Sequence, residues 1–485
     1  MNFLRPLPSW ALLIGLAGCQ AAVPPLKHLA MFQGDGRPID PRSAGGLFLP
    51  YRVETEEDFA GHVEEIVGGI RAGNASRILI YIHGGLNSQS GSIQNAHRLL
   101  PFIEKEGLYP LFINWQSSLG SSYVDHLLFI RQGKDRGWKS VFLSPFYFMI
   151  DLSRGVARLP IVWYFRIREW VDQVFRGGTS DFHDAHRAEE LFSGKHTAKK
   201  LIPIDPGDGK EDVSLRRRVL RFVWYIGTLP LRGVGTLLID TAGQGAWDVM
   251  LRRTRLLFQR EDEFSDEMDT RVHRKPEGLL LLMDRLGFLQ EERELKGGRL
   301  EVVLVAHSMG ALVANHLLQH RTAYVESHPP DFGQPWKAGS PLRVPAFREI
   351  VYMAAACTVR ELEASIFPYL EKHPGVVHHN LVLHPRSDVE ESNFGDLSPR
   401  GSLLVWIDDY LAKPLTPLDR TAGRYENLMP ALHDLPESLR GRVVVKVFDR
   451  GVPSEPQSHG EFNEGGDGGG KFRFWVAEDY RIDGQ

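Results

Sequence analysis

The residues with the clearest chemical potential lie in "EVVLVAHSMGALVANHLL", Glu301 to Leu318. An aliphatic run ends at Ala306-His307-Ser308-Met309-Gly310, and small helix-forming residues follow. A strand that turns abruptly into a helix strains its corner residue, and the residues two before and two after must be small to avoid collision across the turn. Ala306 and Gly310 meet that condition, although Ala departs from the commoner Gly at the first position. The Ser308 hydroxyl is then placed at a strand's carboxyl end, with its own amide and that of Met309 at a helix N-terminus that stabilises developing negative charge. The chemistry this serves is nucleophilic attack on a carbonyl carbon.

A serine hydroxyl needs a base, the base needs an orienting carboxylate, and the intermediate needs a second amide donor. The turn after "RILIYI" is "HGGLN", where Gly84 and Gly85 let the backbone approach a substrate oxygen and the N–H of Gly85 or Leu86 donates. His83 reads as a structural residue of that loop. Asp388, in "RSDVEESN" just past the strand "HHNLVLHP", is the candidate acid, with Glu390 and Glu391 as close competitors. His459 is the only histidine after the last apolar run, "RVVVKVFD", and is the candidate base. His378, His379 and His384 lie in or beside a strand and read as packed or exposed.

The elements that must position these groups alternate along the chain. "HLAMFQ" and "GGLFLPYRV" read as short strands and residues 58–72 as a helix, because Phe59, Val63, Ile66, Val67 and Ile70 fall at helical spacing. "RILIYIHGG", "YPLFINW", "LEVVLVAHS", "EIVYMAAA", "HHNLVLHP" and "RVVVKVFD" are near-continuous apolar runs of the kind buried on both faces. Helical patterns such as "IQNAHRLLPFIEKEG", "PEGLLLLMDRLGFL" and "SLLVWIDDYL" separate them, so the expected fold is α/β, a mostly parallel sheet with helices on both faces. In such sheets chemistry gathers at the carboxyl ends of strands.

About 180 residues separate "YPLFINW" from "EVVLVAHS", far more than one crossover needs. Residues 121–274 are expected to form a large helical insertion, rich in aromatics interleaved with arginine. Its apolar runs are short and broken by charge, so no spanning helix is expected. Arg216, Arg217, Arg218 and Arg221 suit lipid phosphates, with Phe222, Trp224 and Tyr225 at an interface. Ordinary helices with aromatics packed inside a cap fit the same pattern.

The N-terminus carries one basic residue, Arg5, a short apolar run from Trp10 to Ala17, and Leu16-Ala17-Gly18-Cys19. This fits a cleaved export signal over residues 1–18 and looks like a bacterial lipobox, with acylation of Cys19 as the expected anchor. Gln20 follows, rather than the Asp that signals inner-membrane retention, so the expected location is the cell envelope, at the outer membrane of a Gram-negative bacterium. With Cys19 acylated, Cys357 has no partner for a disulfide and reads as a buried thiol. The net charge of −4 argues against wholesale nucleic-acid binding. No Cys/His cluster has ligand spacing and "GGDGGG" is neither a calcium nor a phosphate loop but a linker, so no metal or cofactor is expected.

Taken together, "HGGLN", the strand end "NW" and the elbow "AHSMG" resemble the α/β-hydrolase superfamily, in particular bacterial lipoproteins of an uncharacterised serine hydrolase group. The resemblance covers residues 76–120 and 275–465, leaving the arm 19–75 and the insertion unexplained. It places the core at 76–120 and 275–485. It implies a Ser-His-Asp acyl-transfer mechanism, in which Ser308 attacks, His459 takes and returns the proton, Asp388 orients the imidazole, and water completes hydrolysis. The expected substrate is a small-molecule or lipid acyl ester, with the insertion as a lid over an acyl pocket and the membrane as partner through the anchor and the cap. An amidase or peptidase on the same triad, or a non-catalytic protein keeping the fold for binding, are the competing expectations.

Overall fold

A computed structural model describes residues 23–43, 51–131, 134–135, 139–171, 215–258, 278–327, 343–391, 399–465 and 471–481. The leader, Cys19 and the glycine run 466–470 lie outside them.

Seven strands form one sheet: β1 (Leu29–Phe32), β2 (Arg77–Ile82), β3 (Tyr109–Trp115), β4 (Glu301–His307), β5 (Phe347–Met353), β6 (Val377–Val382) and β7 (Val443–Val447). Their spatial order is β1-β3-β2-β4-β5-β6-β7, and every neighbouring pair is parallel. Consecutive strand residues are buried, so both faces are covered, as the continuous apolar runs require. The expected strand at "GGLFLPYRV" is not formed where it is described: Val53 makes only an isolated bridge to Ile39, and residues 44–50 lie outside the described residues.

Helices connect the strands. α1 (Glu56–Ala72) opens with a capping box between Thr55 and Asp58 and buries the predicted Phe59, Val63, Ile66, Val67 and Ile70. α2 (Gln89–Lys105) starts at Ser88, whose side chain accepts the Gly91 N–H. Between β3 and β4 come α3 (Leu119–Leu128), α4 (Lys139–Val171), α5 (Leu215–Leu256) and α6 (Gly278–Leu295). α7 (Gly310–Ser327), α8 (Val359–Lys372) and the short α9 (Pro385–Glu390) follow β4, β5 and β6. "SLLVWIDDYL" begins as a helical turn, Leu403–Trp406, and widens into a π turn at Ile407–Leu411.

α4 and α5 run antiparallel. Tyr225 Oη donates to the Arg166 carbonyl at 3.0 Å, and Arg158 Nη1 lies 2.7 Å from Asp240 Oδ1. The C-terminal end of α5 is fastened to the sheet by the buried Arg253, which donates to the Gln116 carbonyl at 3.1 Å and to Ser122 Oγ at 2.9 Å, and pairs with Asp125. That guanidinium ties the insertion to the carboxyl end of β3, the edge where the conspicuous sequence motifs converge.

Candidate functional site at the strand β4 corner

Ser308 sits at φ 52°, the left-handed region, between β4 and α7. The corner is locked by backbone bonds: the Ser308 N–H donates to the Met353 carbonyl at 2.9 Å, and the Ser308 carbonyl accepts from Ala356 at 3.0 Å. A Cβ on Gly310 would strike the Ile82 carbonyl oxygen and lie 3.0 Å from that of His83, so the end of β2 dictates glycine there. Ser308 is fully buried, and its hydroxyl has no hydrogen-bond partner among the described residues. A buried unpartnered polar group costs about 1–3 kcal/mol.

The loop after β2 lies directly against this corner. A Cβ on Gly84 would come within 2.8 Å of both Ser308 Cβ and His307 Nδ1, and one on Gly85 within 2.5 Å of Met309 Sδ. His83 holds the loop as a structural residue: its Nε2 accepts the Trp115 N–H at 3.0 Å, and its Nδ1 donates to the Gly84 carbonyl at 2.7 Å. Burial lowers its pKa to about 4, so it is neutral and both ring nitrogens are committed. Two expected oxyanion donors need correction. The Leu86 N–H donates to the Ser117 carbonyl at 2.9 Å, a bond that fixes Leu86 at φ 65°, and the Ser308 N–H is taken by Met353. The amides of Gly85 and Met309 carry no such bond among the described residues.

His459 opens a 3₁₀ turn, His459–Asn463, beyond β7 and is buried, with neither ring nitrogen partnered among the described residues. Its carbonyl accepts from His307 Nε2 at 3.1 Å, and the two imidazoles lie 5.0 Å apart, centroid to centroid. His307 Nδ1 in turn accepts from Asn463 Nδ2 at 2.7 Å, and Asn463 Oδ1 accepts from Tyr81 Oη. The fold thus brings His459 beside the residue preceding Ser308, but no Ser308–His459 hydrogen bond is made. Burial lowers the His459 pKa to about 4, and burial, followed by the neighbouring His459, holds His307 well below the usual histidine range. Sequence reasoning missed the His307-Asn463-Tyr81 chain. Its only local signal was Asn463 four residues after His459, on the same short turn.

Asp388 does not reach His459. It is buried on α9, where Arg424 Nε donates to Oδ2 at 2.8 Å and Ser402 Oγ donates to Oδ1. Arg424 is itself buried and also contacts Asp408 and Glu426, so the Asp388 carboxylate is drawn into neutralising a buried guanidinium. Burial pushes the Asp388 carboxyl up against the pull of Arg424. The carboxylate touching the His459 residue is Glu391, whose Oε2 accepts the His459 backbone N–H at 2.9 Å. Burial first, then the nearby Asp388 and Glu461 charges, push Glu391 up to about 7. Glu390 instead pairs with Arg386 and Arg450.

The other histidines are structural: His378 and His379 are buried, His379 Nε2 lies 3.0 Å from Glu349, and His384 caps α9 by accepting the Arg386 N–H. Cys357 is buried, and burial pushes its thiol pKa up. No group of residues suited to holding a metal occurs among the described residues.

Above the glycine loop lies α5: Met250 Cε would be 3.1 Å from a Cβ on Gly85, and Trp247 and Met250 are buried. A cleft of ≈ 840 Å³ between α4, α5 and the loop 407–421 touches the corner through Ala356. Its walls include Asp151, Asp240, Arg252, Glu361 and Lys413, and are therefore more charged than an acyl pocket calls for.

Compared with protein-family models, with curated proteins and with solved structures, the chain has no match. The assignment of function therefore rests on the geometry and chemistry of the site.

Proposed function

We propose that the protein is a serine hydrolase of the α/β-hydrolase type, cleaving carboxylic esters through an acyl-enzyme on Ser308. The observation that carries this reading is Ser308 itself: a non-glycine residue at φ 52° on a strand-to-helix corner, its hydroxyl buried and, among the described residues, unpartnered beside a glycine loop. The strand order supports it, since the corner strand β4 lies between the glycine-loop strand β2 and the strands leading to Glu391 and His459.

In the reaction His459 removes the Ser308 proton as the hydroxyl oxygen attacks the carbonyl, and the amides of Gly85 and Met309 receive the oxyanion. His459 then protonates the leaving oxygen, and water repeats the sequence to release the acid. Burial keeps the His459 imidazole neutral at neutral pH but also weakens it as a base, so proton transfer requires its basicity to rise as the attacking hydroxyl approaches. Attack requires the imidazole and hydroxyl to close on one another and α5 to admit substrate, so α5 acts as a lid through Met250. Cys19 is the proposed acyl anchor and the cell envelope the proposed location.

A second reading, an amidase or peptidase on the same serine, is favoured by one observation: the charged walls of the adjacent cleft, which suit a polar acyl group better than a hydrocarbon chain. Hydrolysis rates for a p-nitrophenyl ester series and matched amides, each compared with Ser308→Ala, test both readings. Ester turnover that vanishes in the variant supports the first, serine-dependent amide turnover the second, and turnover of neither, or turnover retained by the variant, contradicts both.

A further inference from the structure

α4 and α5 are built inside out. In a water-soluble helix pair apolar side chains meet between the helices and polar ones face solvent. Here polar groups lie between the helices: Arg158 pairs with Asp240, Arg232 Nε donates to Thr228 Oγ1 at 2.7 Å, and Arg166 is buried where its carbonyl accepts from Tyr225. The apolar residues point the other way. Phe142, Phe146 and Met149 on α4, and Val223, Leu231 and Val234 on α5, are between 58% and 72% exposed.

Helical geometry puts these residues on the side of each helix opposite its partner, because Phe142, Phe146 and Met149 recur at i, i+4, i+7 and lie away from the row Gly155, Arg158, Val162 and Arg166. The stripe on α4 continues through Val156 and Tyr164 to Ile167, about 37 Å from Phe142 along the axis. Both outer sides of the hairpin are therefore clothed in exposed apolar side chains. Isolated exposed hydrophobics are ordinary, but a surface of this extent marks an interaction face.

We propose that the outer surface of the α4–α5 hairpin is immersed in one leaflet of a lipid bilayer with anionic headgroups. A second copy of the chain would cover one side of the hairpin, whereas lipid covers both at once. Residues 139–171 and 215–240 hold nine arginines and one lysine against three acidic residues. With Arg158, Arg166, Arg232 and Asp240 set aside between the helices, six arginines and one lysine remain against two acidic residues, a positive excess in a chain of net −4 of the kind anionic headgroups attract. No single helix among the described residues is long and apolar enough to cross a membrane, and the two parts of α5 that together reach that length and composition, Phe222–Leu229 and Leu231–Leu256, are bent by 62° at their junction; the proposal therefore places the hairpin in one leaflet. Of the aromatic residues expected at an interface, Phe222 and Trp224 are exposed accordingly, while Tyr225 is buried against Arg166 and Arg232.

The test is vesicle flotation of the full chain carrying Cys19→Ser, with and without Phe146→Glu plus Leu231→Glu. Parent and variant share residues 1–18, so any affinity of the leader cancels. The expected result is binding of the parent to phosphatidylglycerol-containing vesicles, weaker binding to phosphatidylcholine alone, and a fall of at least about tenfold in the variant's partition coefficient. The substituted positions are exposed, so far-UV circular dichroism and melting temperature stay unchanged; if they do not, Phe142→Ser plus Val234→Ser replaces the first variant. Equal flotation of parent and folded variant overturns the proposal. So does a parent that ignores vesicles but sediments as a dimer that the substitutions dissociate.

Discussion

The backbone N–H of His459 donates to Oε2 of Glu391 at 2.9 Å, joining the loop after β7 to the end of α9. Glu391 is thus the carboxyl in contact with the candidate base residue, and burial places its pKa at about 7. A carboxyl whose folded pKa lies above its unfolded value binds protons more tightly when folded. Its contribution is fully present below pH 4.5 and is lost as pH rises to about 7. The span corresponds to about 3 kcal/mol. Glu391→Gln keeps an oxygen for the His459 N–H and removes the titration, so urea unfolding at pH 5 and pH 8 should show the variant gaining relative stability at the higher pH. The buried histidines, with lowered pKa values, act in the opposite direction, and comparing variant with wild type cancels them. An unchanged pH slope would refute the assignment.

Asp388 is predicted to matter first for stability. Asp388→Ala leaves the buried Arg424 short of a partner and should cost about 3–5 kcal/mol in chemical unfolding. A loss below about 1 kcal/mol accompanied by abolished turnover would instead return Asp388 to the role of orienting His459.

Met250 is the side chain through which α5 covers the glycine loop. Met250→Ala removes that cover at a stability cost of about 2–5 kcal/mol and should raise the labelling rate of Ser308 by small electrophiles several-fold. A rate that is unchanged or lower would mean that α5 does not gate the serine.

What was legible in the sequence follows from which interactions are local. β3 matches "YPLFINW" residue for residue, and the Ser308 corner is readable because its small-residue signature falls within five residues. Glycine is required at 310 as expected, but by the Ile82 and His83 carbonyls at the end of β2 rather than by Ala306 across the turn. The Asp388 environment was not legible: Arg424 lies 36 positions away, and no periodic pattern announces a buried guanidinium that claims a carboxylate. The Leu86 donor failed for a similar reason, since the Ser117 carbonyl that captures its N–H belongs to another loop. In the insertion, the density of aromatics was readable but their direction was not, because composition alone does not say whether an apolar stripe turns inward or outward.

An activated serine at the β4 corner would react with a fluorophosphonate probe, and intact-mass analysis reads that adduct. Wild type and Ser308→Ala should be treated in parallel, with detergent present to loosen α5. One adduct is expected on wild type and none on the variant. Equal labelling of the two proteins, or no adduct on wild type under any of these conditions, would contradict an activated serine there.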